Sequence, residues 1–275
     1  MCIRDRLYSE LLSPALGNIV KELKDVKYLH QIVIGLDRAT KYEYRDALNY
    51  FSKLPQEHVV LWNDGPRLKA LDKKLQKLKL APQEMGKGRN VWYCFGYLLA
   101  TNQVESVALH DCDIVTYTRD LLARLIYPVA NPNFNYQFCK GYYSRVSTNK
   151  INGRVCRLLV TPLIRSLMKI FPANDYLEYL NSYRYALSGE FSLRTEVLND
   201  IRIPSDWGLE IGVLSEMNRN YANNRICQVD IADKYDHKHQ ELSEADASKG
   251  LSKMSIDISK SCLLYTSDAA DEVVS

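Results

Sequence analysis

Two acids one residue apart, Asp111-Cys112-Asp113, close an apolar run at 106–110, and far downstream stands Asp236-His237-Lys238-His239. Hard carboxylate oxygens joined by one imidazole suit Mg²⁺ or Mn²⁺ held jointly with a diphosphate, and a strand end is a rigid mount for such ligands. Asp113 is the better candidate for direct metal contact, with Asp111 left to a ribose or a metal-bound water. Cys112 reads as a small buried filler, because thiolate is too soft for a metal of this kind. On an extended segment His237 and His239 point the same way, and one of them suffices as a ligand. Such a set points to an enzyme that handles a nucleotide-sugar.

Cations follow the same logic. Gly86-Lys87-Gly88 places flexible backbone and an ammonium just ahead of a helical pattern, suited to a diphosphate that approaches closely. The spacing is not that of a P-loop, and a plain loop is an equal reading. Arg154 and Arg157, with Lys140, Arg145 and Lys150 nearby, read either as a pocket for a second anion, such as a phosphorylated or carboxylated acceptor, or as a solvated face.

The elements that must position these residues alternate. Helical spacing covers 10–23 and 42–54; short apolar runs at 31–36 and 58–62 stop at Asp37 and at Asn63-Asp64-Gly65-Pro66. A Lys-rich amphipathic helix over 66–80 is expected to present a solvated face, and a further helix covers 91–102. Strand, helix, strand, helix with polar strand ends predicts an α/β fold with an open, mainly parallel sheet flanked by helices. Ligands then bind beyond the carboxyl ends of the strands, where Asp37, Asn63, Asp64, Asp111 and Asp113 fall. The second half reads as a strand near 136–143, a helix near 155–171, a polar and aromatic stretch over 174–185, a helix start at 204–208, a helix over 210–220 and a strand over 225–231. The polar segment 241–260 is helix-prone and is expected to pack on sequence absent from the chain.

The 275 residues carry a formal charge of +3, mildly basic and compatible with phosphate-bearing substrates. Both ends read as translated sequencing adapter: 1–6 is what a transposon end encodes, and 262–267 what its reverse complement encodes. On that reading 7–260 is one domain cut at both ends, with a nucleotide-sugar half at 7–115 and an acceptor half at 116–260, while 261–275 is adapter and an N-terminal strand is missing. The remaining cysteines (Cys94, Cys112, Cys139, Cys156 and Cys227) are scattered without a CxxC pair, which predicts reduced thiols, no zinc site and a cytoplasmic protein. No membrane span or nucleic-acid signature is evident.

Seven segments carry a resemblance: Gly86-Lys87-Gly88-Arg89-Asn90-Val91-Trp92, Asp111-Cys112-Asp113, Lys140-Gly141-Tyr142-Tyr143, Gly153-Arg154-Val155, Gly189-Glu190-Phe191, Trp207-Gly208-Leu209-Glu210-Ile211-Gly212 and Asp236-His237-Lys238. In this order the chain resembles the glucosyl-3-phosphoglycerate synthases, retaining GT-A glycosyltransferases. The resemblance implies a nucleotide-sugar donor, UDP-glucose, and a small anionic acceptor, 3-phosphoglycerate or a relative, on the way to glucosylglycerate. A homodimer is compatible with it. It implies that Glu10 contacts the uracil nucleotide, that Lys87 lies near the donor, and that Asp113 and His237 hold the metal with Asp111 beside the ribose. It further implies that Arg154 grips the acceptor, that Gly189 lets the acceptor approach, and that Glu210 lies near the reacting sugar. The chain departs from the family at Cys156, where the family has an acceptor-binding threonine, and at Gly35-Leu36-Asp37-Arg38, which leaves Asp37 as the nucleotide contact there.

Retention leaves two chemistries. A double displacement needs a carboxylate nucleophile, for which Glu210 is the candidate; front-face attack needs only Lys87 and the metal-holding Asp113 to stabilise the departing diphosphate. Transfer to glycerate or a lipid phosphate, and a non-catalytic sugar-nucleotide or protein-binding domain, are the alternative functions.

Overall fold

The computed structural model describes residues 1–5, 8–82, 84, 86–144, 146–147, 150–236 and 250–274. Strands β1 (Cys2–Asp5), β2 (Gln31–Leu36), β3 (Glu57–Trp62) and β4 (Ser106–Asp111) alternate with α1 (Pro14–Leu23), α2 (Lys41–Phe51), α3 (Pro66–Lys77) and α4 (Lys87–Thr101). After β4 come α5 (Arg119–Ala130), β5 (Phe138–Tyr143), the two-residue strands β6 (Val146–Ser147) and β7 (Lys150–Ile151), α6 (Thr161–Ile170) and α7 (Asp175–Asn181). The chain continues through β8 (Phe191–Arg194), α8 (Leu209–Asn220), β9 (Ile226–Ala232) and α9 (Gly250–Val274).

The seven-stranded sheet has the order β3-β2-β1-β4-β8-β5-β9. All neighbours are parallel except β8, which runs antiparallel to both β4 and β5. Strands buried on both faces read as continuous apolar runs, which is why β2 is buried at every position. One core lies under α4, α6, α7 and α8 with Phe95, Phe138 and Phe191 at its centre; the other lies under α1, α2 and α5, around Leu16, Ile34 and Leu122. As expected, α3 buries none of its residues. Among the described residues no helix is long and apolar enough to cross a membrane.

Several expectations need correction. The helix expected over 10–23 is split: Tyr8–Leu12 is a 3₁₀ turn, and α1 starts afresh because the Ser13 hydroxyl accepts from Leu16 N and Pro14 is free to take the first helical position. The helix expected near 155–171 begins with a π turn at Cys156–Val160 before α6. The sequence reading passes over α5 and β8; the latter, four residues long and reversed, has no local signature. Cys2–Asp5 sits between β2 and β4, paired through backbone groups that any extended segment can offer. In α9, Ile258 and Cys262 are buried in the core with α7 and α8, and Tyr265 donates to Glu216 Oε1 at 2.8 Å.

The start of α4 is wedged against the loop before α8. Arg89 N donates to Ser205 O at 3.1 Å, and a Cβ at Gly88 would lie 1.7 Å from Pro204 O. Close backbone packing therefore requires this glycine. Gly88→Ala is expected to destabilise the fold by about 3 kcal/mol, typical of overpacking with backbone shift, read as a lower urea midpoint.

His110 on β4 is fully buried, edge-on to Tyr117, and neither ring nitrogen finds a hydrogen-bond partner among the described residues. Burial, with a smaller push from the N-terminal ammonium, lowers its pKa to about 3. The folded state therefore keeps this ring neutral while the unfolded chain protonates it below about 6.5. Stability is lost as pH falls from about 6.5 towards 3, by about 1.4 kcal/mol per unit from this group. Thermal melts at pH 7 and pH 5 should converge more for His110→Leu than for the parent.

Candidate active site

The carboxyl edge of the sheet collects the expected polar residues. Asp37, 1% exposed after β2, accepts from Asn63 Nδ2 and Arg89 Nη1, each at 3.4 Å. Asn63 also donates to Asn90 Oδ1 at 3.2 Å, and Asn90 Nδ2 donates to Gly35 O at 2.9 Å, so α4 fixes the whole set. Burial raises the Asp37 pKa, and Arg89 and Asn63 oppose the rise. Asp37 Oδ2 and Asn63 Oδ1 are buried with no hydrogen-bond donor among the described residues, acceptors that the N–H of a nucleotide base would satisfy. Glu10, also buried, follows β1. Asp64 turns instead to Ala39 N, at 3.3 Å.

At the centre of the edge the fold joins residues far apart in sequence. Lys87 Nζ pairs with the Glu210 carboxylate at the start of α8 and lies 3.7 Å from Asp111 Oδ2. Lys87 is 13%, Asp111 23% and Glu210 3% exposed, so this charge system faces a partly dry site. Asp113 is half-buried, while Cys112 is buried, as its filler role requires.

The downstream segment meets the same place. Val115 N donates to Asp236 O at 2.8 Å, and Asp236 N donates to Thr116 Oγ1 at 3.0 Å. The backbone leading into His237 is thus pinned to the turn that follows Asp113; His237 and His239 themselves lie outside the described residues. Hard carboxylates at Asp111 and Asp113, with the segment before His237 anchored beside them, are a donor set that fits Mg²⁺ or Mn²⁺.

A network the sequence reading missed supports this segment. Glu190, fully buried, accepts from Tyr235 Oη at 2.8 Å and from Ser188 Oγ at 3.1 Å. Tyr235 stacks face to face on Tyr143. Only the tertiary fold shows this pairing, although a glutamate flanked by a glycine and a strand was visible. Tyr235→Phe is expected to cost about 1–3 kcal/mol by leaving a buried carboxylate short of a donor, read from urea unfolding.

The basic residues of the second half have different surroundings. A cavity of about 630 Å³ is lined by Tyr143, Gly153, Cys156 and Tyr185, together with Arg157, Arg165, Lys169 and Arg184. Arg154 is exposed and does not line it. Lys140, expected among the pocket cations, is buried with Nζ donating to Ser188 O at 2.7 Å, and the side chains of Arg145 and Lys150 lie outside the described set. Gly189 is buried between Ser188 and Glu190. The Cys156 thiol is buried, and that burial raises its pKa.

Among the described residues one three-acid cluster has metal-like spacing, Glu84, Asp206 and Asp257. Lys253 Nζ already lies 3.0 Å from Glu84 and 2.6 Å from Asp257, so it ties α9 to the loops.

The open sheet with one reversed strand, bearing paired carboxylates at the end of β4, defines the GT-A class of nucleotide-diphospho-sugar transferase folds. The glucosyl-3-phosphoglycerate synthase of Mycobacterium tuberculosis, solved with Mn²⁺, UDP and glucosyl-3-phosphoglycerate, superposes with a TM-score of 0.69 at 18% identity over 97% of this chain and 78% of that one. No family model matches the chain. In sequence it is 48% identical over 254 residues to the glucosyl-3-phosphoglycerate synthase of Persephonella marina, covering 92% of this chain and 62% of the relative. It is 41% identical over 273 residues to that of Methanococcoides burtonii, covering 98% of this chain and 66% of the relative. The chain is a homologue of the glucosyl-3-phosphoglycerate synthases, and it spans slightly less than two thirds of the length of these curated relatives.

Proposed function

We propose that the chain forms the donor- and acceptor-binding part of a metal-dependent retaining glucosyltransferase, moving glucose from UDP-glucose to 3-phosphoglycerate in the cytoplasm. The observation that carries this reading is the convergence of Lys87, Asp111 and Glu210 beside the anchored Asp236, in a chain related to synthases of that name. Scattered cysteines without a CxxC pair favour a reducing compartment.

In this reading Glu10 and Asp37 contact the nucleotide, Asp111 lies beside the ribose, and Asp113 with His237 holds Mg²⁺ or Mn²⁺. The bound metal supplies Lewis-acid neutralisation of the diphosphate. Lys87 adds positive charge where negative charge develops, while Arg154 and the Gly189 backbone serve the acceptor. Glu210, held by the Lys87 ammonium, is a weakened nucleophile and orients that lysine and the sugar. Front-face attack follows: the acceptor oxygen bonds to the anomeric carbon, the bond to the diphosphate breaks with its electron pair leaving on UDP, and the acceptor proton passes to the leaving phosphate oxygen.

Incubation with UDP-glucose, Mn²⁺ and 3-phosphoglycerate should give UDP and glucosyl-3-phosphoglycerate by mass spectrometry, and chelator should remove both. Cys156 in the cavity wall favours a second reading, a different acceptor, because a thiol is a poor phosphate donor. UDP release with a product only on glycerate or a lipid phosphate would replace the first reading with the second.

A further inference from the structure

We infer that Lys253 is a positioning residue for the transfer reaction: from α9 it holds in place the two loops that lead to Lys87 and Glu210. The inference rests on the transferase reading and extends it from the residues at the sheet edge to a helix near the end of the chain. Charge is the first argument. Glu84 stands three residues ahead of Lys87, and Asp206 four ahead of Glu210. One oxygen from each of them and one from Asp257 on α9 all lie within 4.8 Å of one another. Lys253 Nζ lies 3.0 Å from Glu84 Oε2 and 2.6 Å from Asp257 Oδ1. Burial raises the Asp206 pKa, as do Asp257 and Glu84, while the Gly208 N–H and Lys253 oppose the rise. One ammonium therefore acts on all three acids.

Burial is the second. Asp257 is 1% exposed, and its Oδ2 has no hydrogen-bond partner among the described residues. The Lys253 ammonium is what offsets the burial of that carboxylate, so the lysine is held at a fixed place on α9 and Glu84 is drawn to it. Without the ammonium, three carboxylates within this distance repel, and the loops are pushed from α9 and from each other.

Packing is the third. The heads of α4 and α8 share one seam: Glu84 N donates to Ser205 Oγ at 3.3 Å, Arg89 N to Ser205 O at 3.1 Å and Gly208 N to Asp206 Oδ1 at 2.8 Å. A Cβ at Gly86 would lie 2.8 Å from Ser205 O, and one at Gly208 would lie 2.0 Å from Ser261 Oγ on α9. So close a seam passes a shift at Glu84 or Asp206 on to the helix heads, where Lys87 and Glu210 pair across it.

Steady-state kinetics of the full chain, with hydrogen exchange on the same variants, tests the role. Lys253→Met should lower kcat by about tenfold or more, the scale of a displaced reacting group. The KM values for UDP-glucose and 3-phosphoglycerate should stay within about twofold, because binding itself is not removed. Lys253→Arg should keep most of the parental kcat, since a guanidinium also reaches both acids. Exchange over 86–92 and 205–212 should quicken in Lys253→Met and slow again in Lys253→Arg. The double variant Lys253→Met/Asp257→Asn removes the orphaned carboxylate, so its thermal midpoint should recover while kcat stays low. Recovery of kcat along with the midpoint would make Lys253 a stabilising residue only and overturn the role. If Lys253→Met does not fold, Glu84→Gln decides: its side chain is 51% exposed, and the change releases only the α4 loop. Parental kcat in Lys253→Met, or in Glu84→Gln where that variant decides, overturns the role, and so does a loss carried by KM.

Hydrogen exchange needs no turnover, so the two readings can fail separately. Parent protein that transfers glucose, with variants that match it in kcat and exchange, sinks the Lys253 role alone. Variants that loosen both helix heads, in a parent that transfers glucose to no acceptor, sink the transferase reading and leave Lys253 as the residue that sets the Lys87–Glu210 pair.

Discussion

Asp113→Ala should lower glucose transfer by at least about a thousandfold while leaving the fold intact. The carboxylate is half-buried at the end of β4, so its removal opens no core cavity, and the thermal midpoint should move little. What is lost is a hard ligand for the ion that neutralises the departing diphosphate, an electrostatic contribution of about 4 kcal/mol or more to the barrier. The measurement is kcat with saturating UDP-glucose and a Mn²⁺ series. A variant with parental kcat at every metal concentration would remove Asp113 from the reaction.

Lys87→Met should have the second-largest effect, and it acts on two levels. Glu210 loses the ammonium that compensates its burial at 3% exposure, and breaking such a pair from one side costs about 3–5 kcal/mol. The charge that faces the leaving group is lost as well, worth about a hundredfold or more in kcat. The double variant Lys87→Met/Glu210→Gln separates the two, since removing both charges should restore much of the stability and none of the turnover. Recovery of activity in the double variant would show that Lys87 serves only to satisfy Glu210.

The first half of the molecule was legible because its signals are local. Apolar runs at 31–36 and 58–62 became β2 and β3, and each stops at a polar residue that the parallel sheet places on one edge. The second half resisted for the same reason. β8 is stable only because β4 and β5 accept it between them, and the π turn at Cys156–Val160 answers to packing that no short window contains. Glu190 looked like part of a motif, but its bond to Tyr235, 45 residues away, is a property of two strands and a loop brought together.

By itself, then, the sequence determined which residue types were available for chemistry and which strand ends would carry them: Asp37 after β2, Asp111 and Asp113 after β4, and Lys87 at the head of a helix. Side-chain period and polar strand ends are encoded within a few residues, so they survive without the fold. Only the tertiary structure decided partners. It set Lys87 between Glu210 and Asp111, turned Lys140 inward to Ser188, left Arg154 outside the cavity and lined that cavity with Arg165, Lys169 and Arg184. A charge can be read from one position, but what it faces depends on distant chain segments, up to 123 residues away for Lys87 and Glu210, joined by a sheet order that departs from chain order.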